Sequence, residues 1–377
     1  MNKRSFPTLV VFLALSVLAV SLASAADLVV VDTPKGKRQV MCTILEETYR
    51  YIEVESNGKK QKLYTDPKYA ENPSEVNVVV QEVRHGQFPP KFAQAEMDRR
   101  NRQYSAAFEK YKEAANEVTD ETRWLAPYIW YYAGQVAFKE AKYALVQAEE
   151  KEKWYREAAN RYQRLVQAMK DHYFAPDAKL GLVKAQIRLD GFADARQSLQ
   201  EILDSDYPDD VKMEAQVWSA RLQVERGEYD EAIQQLQQLQ KNLMENHREL
   251  AYLAMISEAY AWQGKEQFAR AEDLFQEVGL RSPEDEMRAE AYNSRGLSLK
   301  KRGQPREALF SFLRVVVLHH AIRHEYQHAL YNAAITSKEY YNEAPQRARE
   351  LGNRLMHKFP NSYWAKLLKR QHPDIAG

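Results

Sequence analysis

Apolar positions along the chain change their period once. Between residue 27 and about 85 they come as short β-branched or alternating runs at 28–31, 40–45, 49–55, 61–64 and 76–80, with turn residues between them. That pattern predicts five strands. Ser56-Asn57-Gly58-Lys59 predicts a tight hairpin, because Asn-Gly supplies two positive-φ positions at little cost. Alternation puts Val40, Cys42 and Ile44 on one face. So many strands in so short a stretch suit a small barrel or rolled sheet of SH3-like size. Gln87-Phe88-Pro89-Pro90 then breaks the pattern, since a proline pair removes two backbone donors and forces extension. From Lys91 onward the period is that of amphipathic helices. The expected divisions are 1–25, 26–87, 88–370 and a C-terminal tail at 371–377.

The helical part repeats. Gly227 is followed by Ala232, Leu236 and Leu239, and the same Ala-large-large triplet recurs as Ala158/Tyr162/Leu165, Ala195/Leu199/Ile202, Ala271/Phe275/Val278 and Ala308/Phe312/Val315. Successive alanines are 37, 37, 39 and 37 residues apart. Flanking copies are Ala107/Tyr111/Ala114 and Ala348/Leu355, the latter with Gly352 where a large residue is expected. Pro283 and Pro360 each stand twelve residues after their alanine. First helices are predicted at 215–224, 250–261, 287–299 and 326–337, with Ser282-Pro283-Glu284-Asp285 as a start signal for one of them. The step from Ala107 to Ala158 is 51 residues, which calls for an extended helix through 139–151 or an irregular hairpin. The charged run 149–153 reads as a solvated face.

These triplets resemble the second-helix signature of the tetratricopeptide repeat, whose standard unit is about 34 residues. The resemblance implies a mostly α protein: an α-solenoid of six to seven helical hairpins behind the β module. It also implies that first helices line a concave surface holding an extended peptide or a partner helix. Candidate groove residues are Tyr131, Gln135, Gln216, Gln223, Tyr252, Glu258, Asn293, Ser298 and Asn332. Trp130, Trp218 and Trp262 are expected in the core, as aromatic stripes at helical spacing usually are. The family's Lys and Asn arrangement for a peptide terminus is not reproduced.

Charge narrows the partners. Lys plus Arg is 54 and Asp plus Glu is 53, so no overall field draws in nucleic acid. Protein or peptide partners are expected, with neither nucleic acid nor a small-molecule substrate. Lys3 and Arg4, the apolar run 9–23 and Ala23-Ser24-Ala25 read as a cleaved signal peptide, predicting export to a periplasm or the exterior and partners in the cell envelope. An uncleaved anchor is the alternative. The single cysteine, Cys42, cannot form an internal disulfide and is expected as a buried small hydrophobe.

One motif points elsewhere. His324-Glu325-Tyr326-Gln327-His328 is a literal H-E-x-x-H, which on a helix places two imidazoles on one face for zinc and leaves the Glu to activate water. The alternative function is therefore a zinc metallohydrolase with ligands His324 and His328 and base Glu325. The repeat register instead puts these residues on the first turn of a first helix, where solvated histidines are expected. The third ligand of the extended metzincin pattern is missing. With no glycine-rich nucleotide loop and no G-x-S-x-G, neither a cofactor nor a catalytic residue is expected.

Overall fold

The structure, a computed structural model, describes residues 27–76, 78–86, 88–120, 122–143, 148–340 and 346–376. The expected signal peptide lies outside the described residues. Strands β1 (Asp27–Thr33), β2 (Gly36–Glu47), β3 (Tyr51–Ser56), β4 (Lys59–Tyr64) and β5 (Val79–Arg84) close a barrel in chain order. Neighbours are antiparallel, including the closing pair β1 and β5, except for β4 with β5, where Tyr64 pairs with Val79 in parallel. Asn57 and Gly58 take φ of 53° and 71°, as the hairpin requires. The fifth strand starts later than residue 76, because Pro73–Glu75 forms a 3-10 turn that engages the Val76 N–H with the Pro73 carbonyl. Val29, Val31, Cys42, Ile52, Val54, Leu63 and Val80 fill the interior. Burial pushes the Cys42 thiol up.

Among the described residues, seven helical hairpins follow. They pair α1 (Pro90–Arg100) with α2 (Tyr104–Asn116), α3 (Leu125–Tyr143) with α4 (Ala148–Ala168), α5 (Ala175–Arg188) with α6 (Phe192–Asp204), and α7 (Asp209–Glu225) with α8 (Tyr229–Leu243). Then come α9 (Arg248–Gly264) with α10 (Phe268–Arg281), α11 (Asp285–Lys301) with α12 (Pro305–Leu318), and α13 (Arg323–Tyr340) with α14 (Gln346–Lys358). A last helix, α15 (Tyr363–Gln371), covers the end of the stack.

The repeat triplets explain the stacking. Ala107, Ala158, Ala195, Ala232, Ala271, Ala308 and Ala348 are all 0% exposed, each at the crossing of a hairpin where a larger side chain would hold the backbones apart. The large residue one turn later, such as Tyr111, Leu236, Phe275 or Phe312, is buried against the neighbouring helices. Each such burial is worth about 1.5–3 kcal/mol. The 51-residue step is accommodated by length, since α3 has 19 residues and α4 has 21. Tyr162 of α4 lies between Gly134 and Gly181, where an added Cβ would come within 2.7 Å and 2.6 Å of its ring.

The irregular Gly352 has a packing reason. A Cβ there would collide with the carbonyl of Ile375, a fully buried residue. Ile375 and Ala376 therefore dock on α14 as part of the core, so the C-terminal segment does not trail from it. The start signal before α11 also works differently from a capping box: Ser282 is buried and its hydroxyl accepts the Glu284 N–H.

The barrel is docked on the solenoid. Tyr49 donates its backbone N–H to the Asp171 carbonyl at 3.0 Å and its hydroxyl to Asp206 at 2.5 Å. Its ring meets Tyr69 and Tyr207 edge-on. Deeper in this junction Tyr128 donates to Glu47 at 2.5 Å, and His85, stacked on Trp124, lies 2.6 Å from the same carboxylate.

Candidate partner-binding cleft

Successive first helices touch one another from α3 through α13, so they form the inner, tighter side of the superhelix. That curvature brings the second unit back against the sixth and seventh. Lys142, near the end of α3, donates to Glu286 of α11 at 2.7 Å, and the Tyr143 hydroxyl donates to the same carboxylate. The Tyr143 ring stacks on His324 of α13 with centroids 3.9 Å apart. Arg102, in the α1–α2 turn, donates to the Ala321 carbonyl at 2.6 Å. Burial by itself would lower the Lys142 ammonium, but Glu290 and Glu286 outweigh it and hold it above its usual range.

Beside this seam lies a cleft of about 880 Å³, within the range of roughly 300–1,000 Å³ common for ligand sites. Its walls come from the α1–α2 turn, α3, α13, the α14–α15 turn and α15. Arg102, Lys139, Arg323, Lys358, Lys366 and Arg370 line it, against Glu140, Glu150 and Glu286. Tyr104, Tyr143, Phe359 and Tyr363 supply rings. Burial pushes the Lys139 ammonium down, with Glu286 opposing, and pushes the Glu140 carboxyl up against the Ser105 backbone N–H. Gln327 is only 6% exposed, lines the cleft, and has its amide oxygen buried without a hydrogen-bond partner.

Few of the residues picked out for the groove take part here. Tyr131 and Gln135 do face the concave side, together lining a smaller hollow with Lys184 and Glu214, and Tyr131 stacks on Phe174 at 4.3 Å. Gln216 is exposed and Gln223 half-buried on α7, and neither borders the seam. Tyr252, Glu258, Asn293, Ser298 and Asn332 are at most 5% exposed, which corrects their reading as groove surface. Several serve contacts between units instead: Glu258 of α9 accepts from Gln237 and Gln240 of α8, Ser298 of α11 accepts from Gln263 of α9, and Asn293 of α11 donates to Glu325 of α13. Trp130, Trp218 and Trp262 are half-buried, each with a cation over its ring, from Arg164, Lys184 and Arg270 respectively.

The H-E-x-x-H residues are not solvated either. His324 is held by Tyr143, while His328 stacks on Trp364 of α15 with centroids 4.5 Å apart. Glu325 is buried between them and accepts from the Asn293 amide at 2.5 Å. Burial would raise its carboxyl, but His324 and His328 outweigh this and hold it well below the usual carboxylate range. The two imidazoles are thus fixed by separate aromatic partners and face the Glu rather than a shared open point. Among the described residues no group of three or more His, Cys, Asp or Glu side chains is placed to hold a metal ion.

The seam residues Lys139, Lys142, Tyr143, Lys366 and Arg370 carry no local motif, and Gln327 is only a variable position of the H-E-x-x-H run. The long step between the first two alanine triplets and that run were the signals that fell in this region.

No protein-family model matches the sequence, and no curated protein matches it. Solved structures do. One is a tetratricopeptide repeat protein from Parabacteroides merdae, 16% identical, covering 64% of this chain and 97% of that one at a TM-score of 0.36. Another is the C-terminal part of a repeat-containing protein from Cytophaga hutchinsonii, 15% identical, covering 72% and 96% at 0.35. A third is a Rap protein complexed with competence and sporulation factor, 12% identical, covering 76% and 83% at 0.46. This chain folds as a tetratricopeptide-like solenoid. The decisive observation is internal to the molecule: among the described residues there are seven hairpins, each crossing at a fully buried alanine. Among the described residues of this solenoid and its barrel, no helix is long and apolar enough to cross a membrane.

Proposed function

We propose that the protein is an exported, non-enzymatic scaffold that holds a protein or peptide partner on the concave side of its solenoid, with the seam cleft as the main contact. The supporting observation is that this cleft exists only in the stacked array, because its walls come from residues as distant in sequence as Arg102 and Arg370. A single hairpin cannot bury its own apolar face, and the stack that solves this problem also generates a long concave surface. Export follows from the N-terminal pattern and would place the scaffold outside the cytoplasm.

A photo-crosslinking amino acid placed at Tyr363, in the cleft, should trap a defined partner in intact cells, whereas one at Lys241, exposed on α8, should not. Absence of any adduct from the cleft position would defeat the scaffold reading. N-terminal sequencing of the protein from the cell envelope should begin at Ala26. An N-terminus at Met1 would defeat the cleaved-signal reading, and recovery of the protein from the cytoplasm with Met1 intact would defeat export.

A further inference from the structure

The charge and hydrogen-bonding state of the seam cleft specify what it receives, if the scaffold reading above is accepted. Lys139, Arg323, Lys358, Lys366 and Arg370 all line it, and none has an ion-pair partner among the described residues. One of the opposing carboxylates, Glu286, is already engaged by Lys142 and Tyr143. The cleft therefore presents an excess of unpaired positive charge. An exposed lysine without a partner is ordinary, but Gln327 is not, because a buried amide oxygen without a donor has lost its water and gained nothing in return. Its amide can both accept from and donate to a peptide group.

We propose that the cleft binds an extended acidic segment of the partner protein, whose carboxylates reach the separate cations while its backbone pairs with the Gln327 amide. The cations come from four different helices, α3, α13, α14 and α15, which suits charges spaced along a chain better than a compact anion. Tyr104, Phe359 and Tyr363 lie among them and offer contact to apolar residues of the segment. Glu140 and Glu150 in the same wall disfavour a uniformly charged phosphodiester chain. Because the cleft is walled by both ends of the superhelical turn, a bound segment also bridges them.

The test uses the mature full-length chain and fluorescence anisotropy. The probe is an end-blocked peptide alternating Glu and Phe, with a Gln-for-Glu twin, inorganic phosphate as competitor, and a single-stranded oligonucleotide of equal length. The acidic probe should bind, weaken as salt rises, and lose about tenfold or more in affinity in the Arg323→Glu/Lys366→Glu double variant. Both positions are exposed, so the double variant should melt like the wild type. Gln327→Leu should weaken the probe even at high salt, and Lys241→Glu should leave it unchanged. Equal binding of the neutral twin, tighter binding of the oligonucleotide, complete displacement by phosphate, or unchanged affinity in the double variant would each overturn the proposal. Failure of the probe alongside a crosslink from Tyr363 sinks the acidic segment and leaves the scaffold. Probe binding without any crosslink supports the ligand site and sinks the scaffold.

Discussion

His172 shows how single residues at the barrel junction couple folding to pH. Burial pushes its imidazole down to about 4, although Glu47, 4.0 Å away, pulls the other way and His85 reinforces the fall. Its Nδ1 accepts the Phe174 backbone N–H, which requires the neutral ring. A free histidine already gains its proton near 6.5, so below that pH the unfolded chain binds a proton that the folded chain refuses. Stability is therefore full above about 6.5 and lost progressively as pH falls towards 4, by on the order of 3 kcal/mol. The melting temperature should drop across that window, and the drop should shrink in His172→Gln. An identical drop in the variant would place the sensitivity elsewhere. The carboxyl of Glu325, depressed by its histidines, adds its own loss only at lower pH, below the usual carboxylate range. The stacking of His324 on Tyr143 also replaces the solvated position expected from its place on the first turn. His324→Ala should cost about 1 kcal/mol, as for a lost aromatic contact, measured by chemical denaturation.

At the scale of elements, the hairpin crossings were legible because one small residue recurring at steps of 37 to 39 residues has a single physical role that local spacing exposes. Ala232 illustrates it: it is 0% exposed and packs with Leu236 and Leu239 against α7 and α9. Ala232→Asp should destabilise the array by about 3 kcal/mol or more, because a carboxylate without a partner is forced into the crossing. An unchanged melting curve would show the register to be wrong. The strands were legible for a similar reason, except the fifth, where Pro73 and the 3-10 turn redirected a β-branched run. The attachment of the barrel was not legible, since Tyr49 meets Asp206 across 157 positions and no periodicity encodes that meeting. Its consequence alters the expected behaviour of the proline-rich joint. Cleavage near residues 88–91 should leave the two parts associated on gel filtration, and Tyr49→Ala combined with Glu47→Ala should release the barrel from the clipped protein.

For the whole molecule, the shape is set by how tightly the first helices curve and by what meets when they have curved through one turn. A repeat pattern reports neighbours in the stack but not the contact between its second unit and its sixth and seventh, which is why the cleft was invisible in the sequence while its hairpins were not. Several polar residues assigned to the groove turned out to be buried, because in this stack the interfaces between units are themselves polar. Asn293 reaching Glu325 is an example, and residue type alone did not separate such a contact from open surface. Closure of the turn depends on a small set of groups: Lys142 with Glu286, Tyr143 with Glu286 and His324, and Arg102 with the Ala321 carbonyl. Lys142 and Glu286 are 33% and 37% exposed, so the pair adds only about 1 kcal/mol to stability. Its larger effect is on geometry, because a few contacts at the end of a long curved stack decide whether the ends stay together. Glu286→Lys places two ammonium groups together at the seam and removes the acceptor of Tyr143. The variant should melt within a few degrees of the wild type yet scatter X-rays as a more open particle, with a larger radius of gyration, and the acidic probe should bind it more weakly despite the added positive charge. A compact variant that binds the probe more tightly would show that charge alone, and not closure of the turn, makes the site.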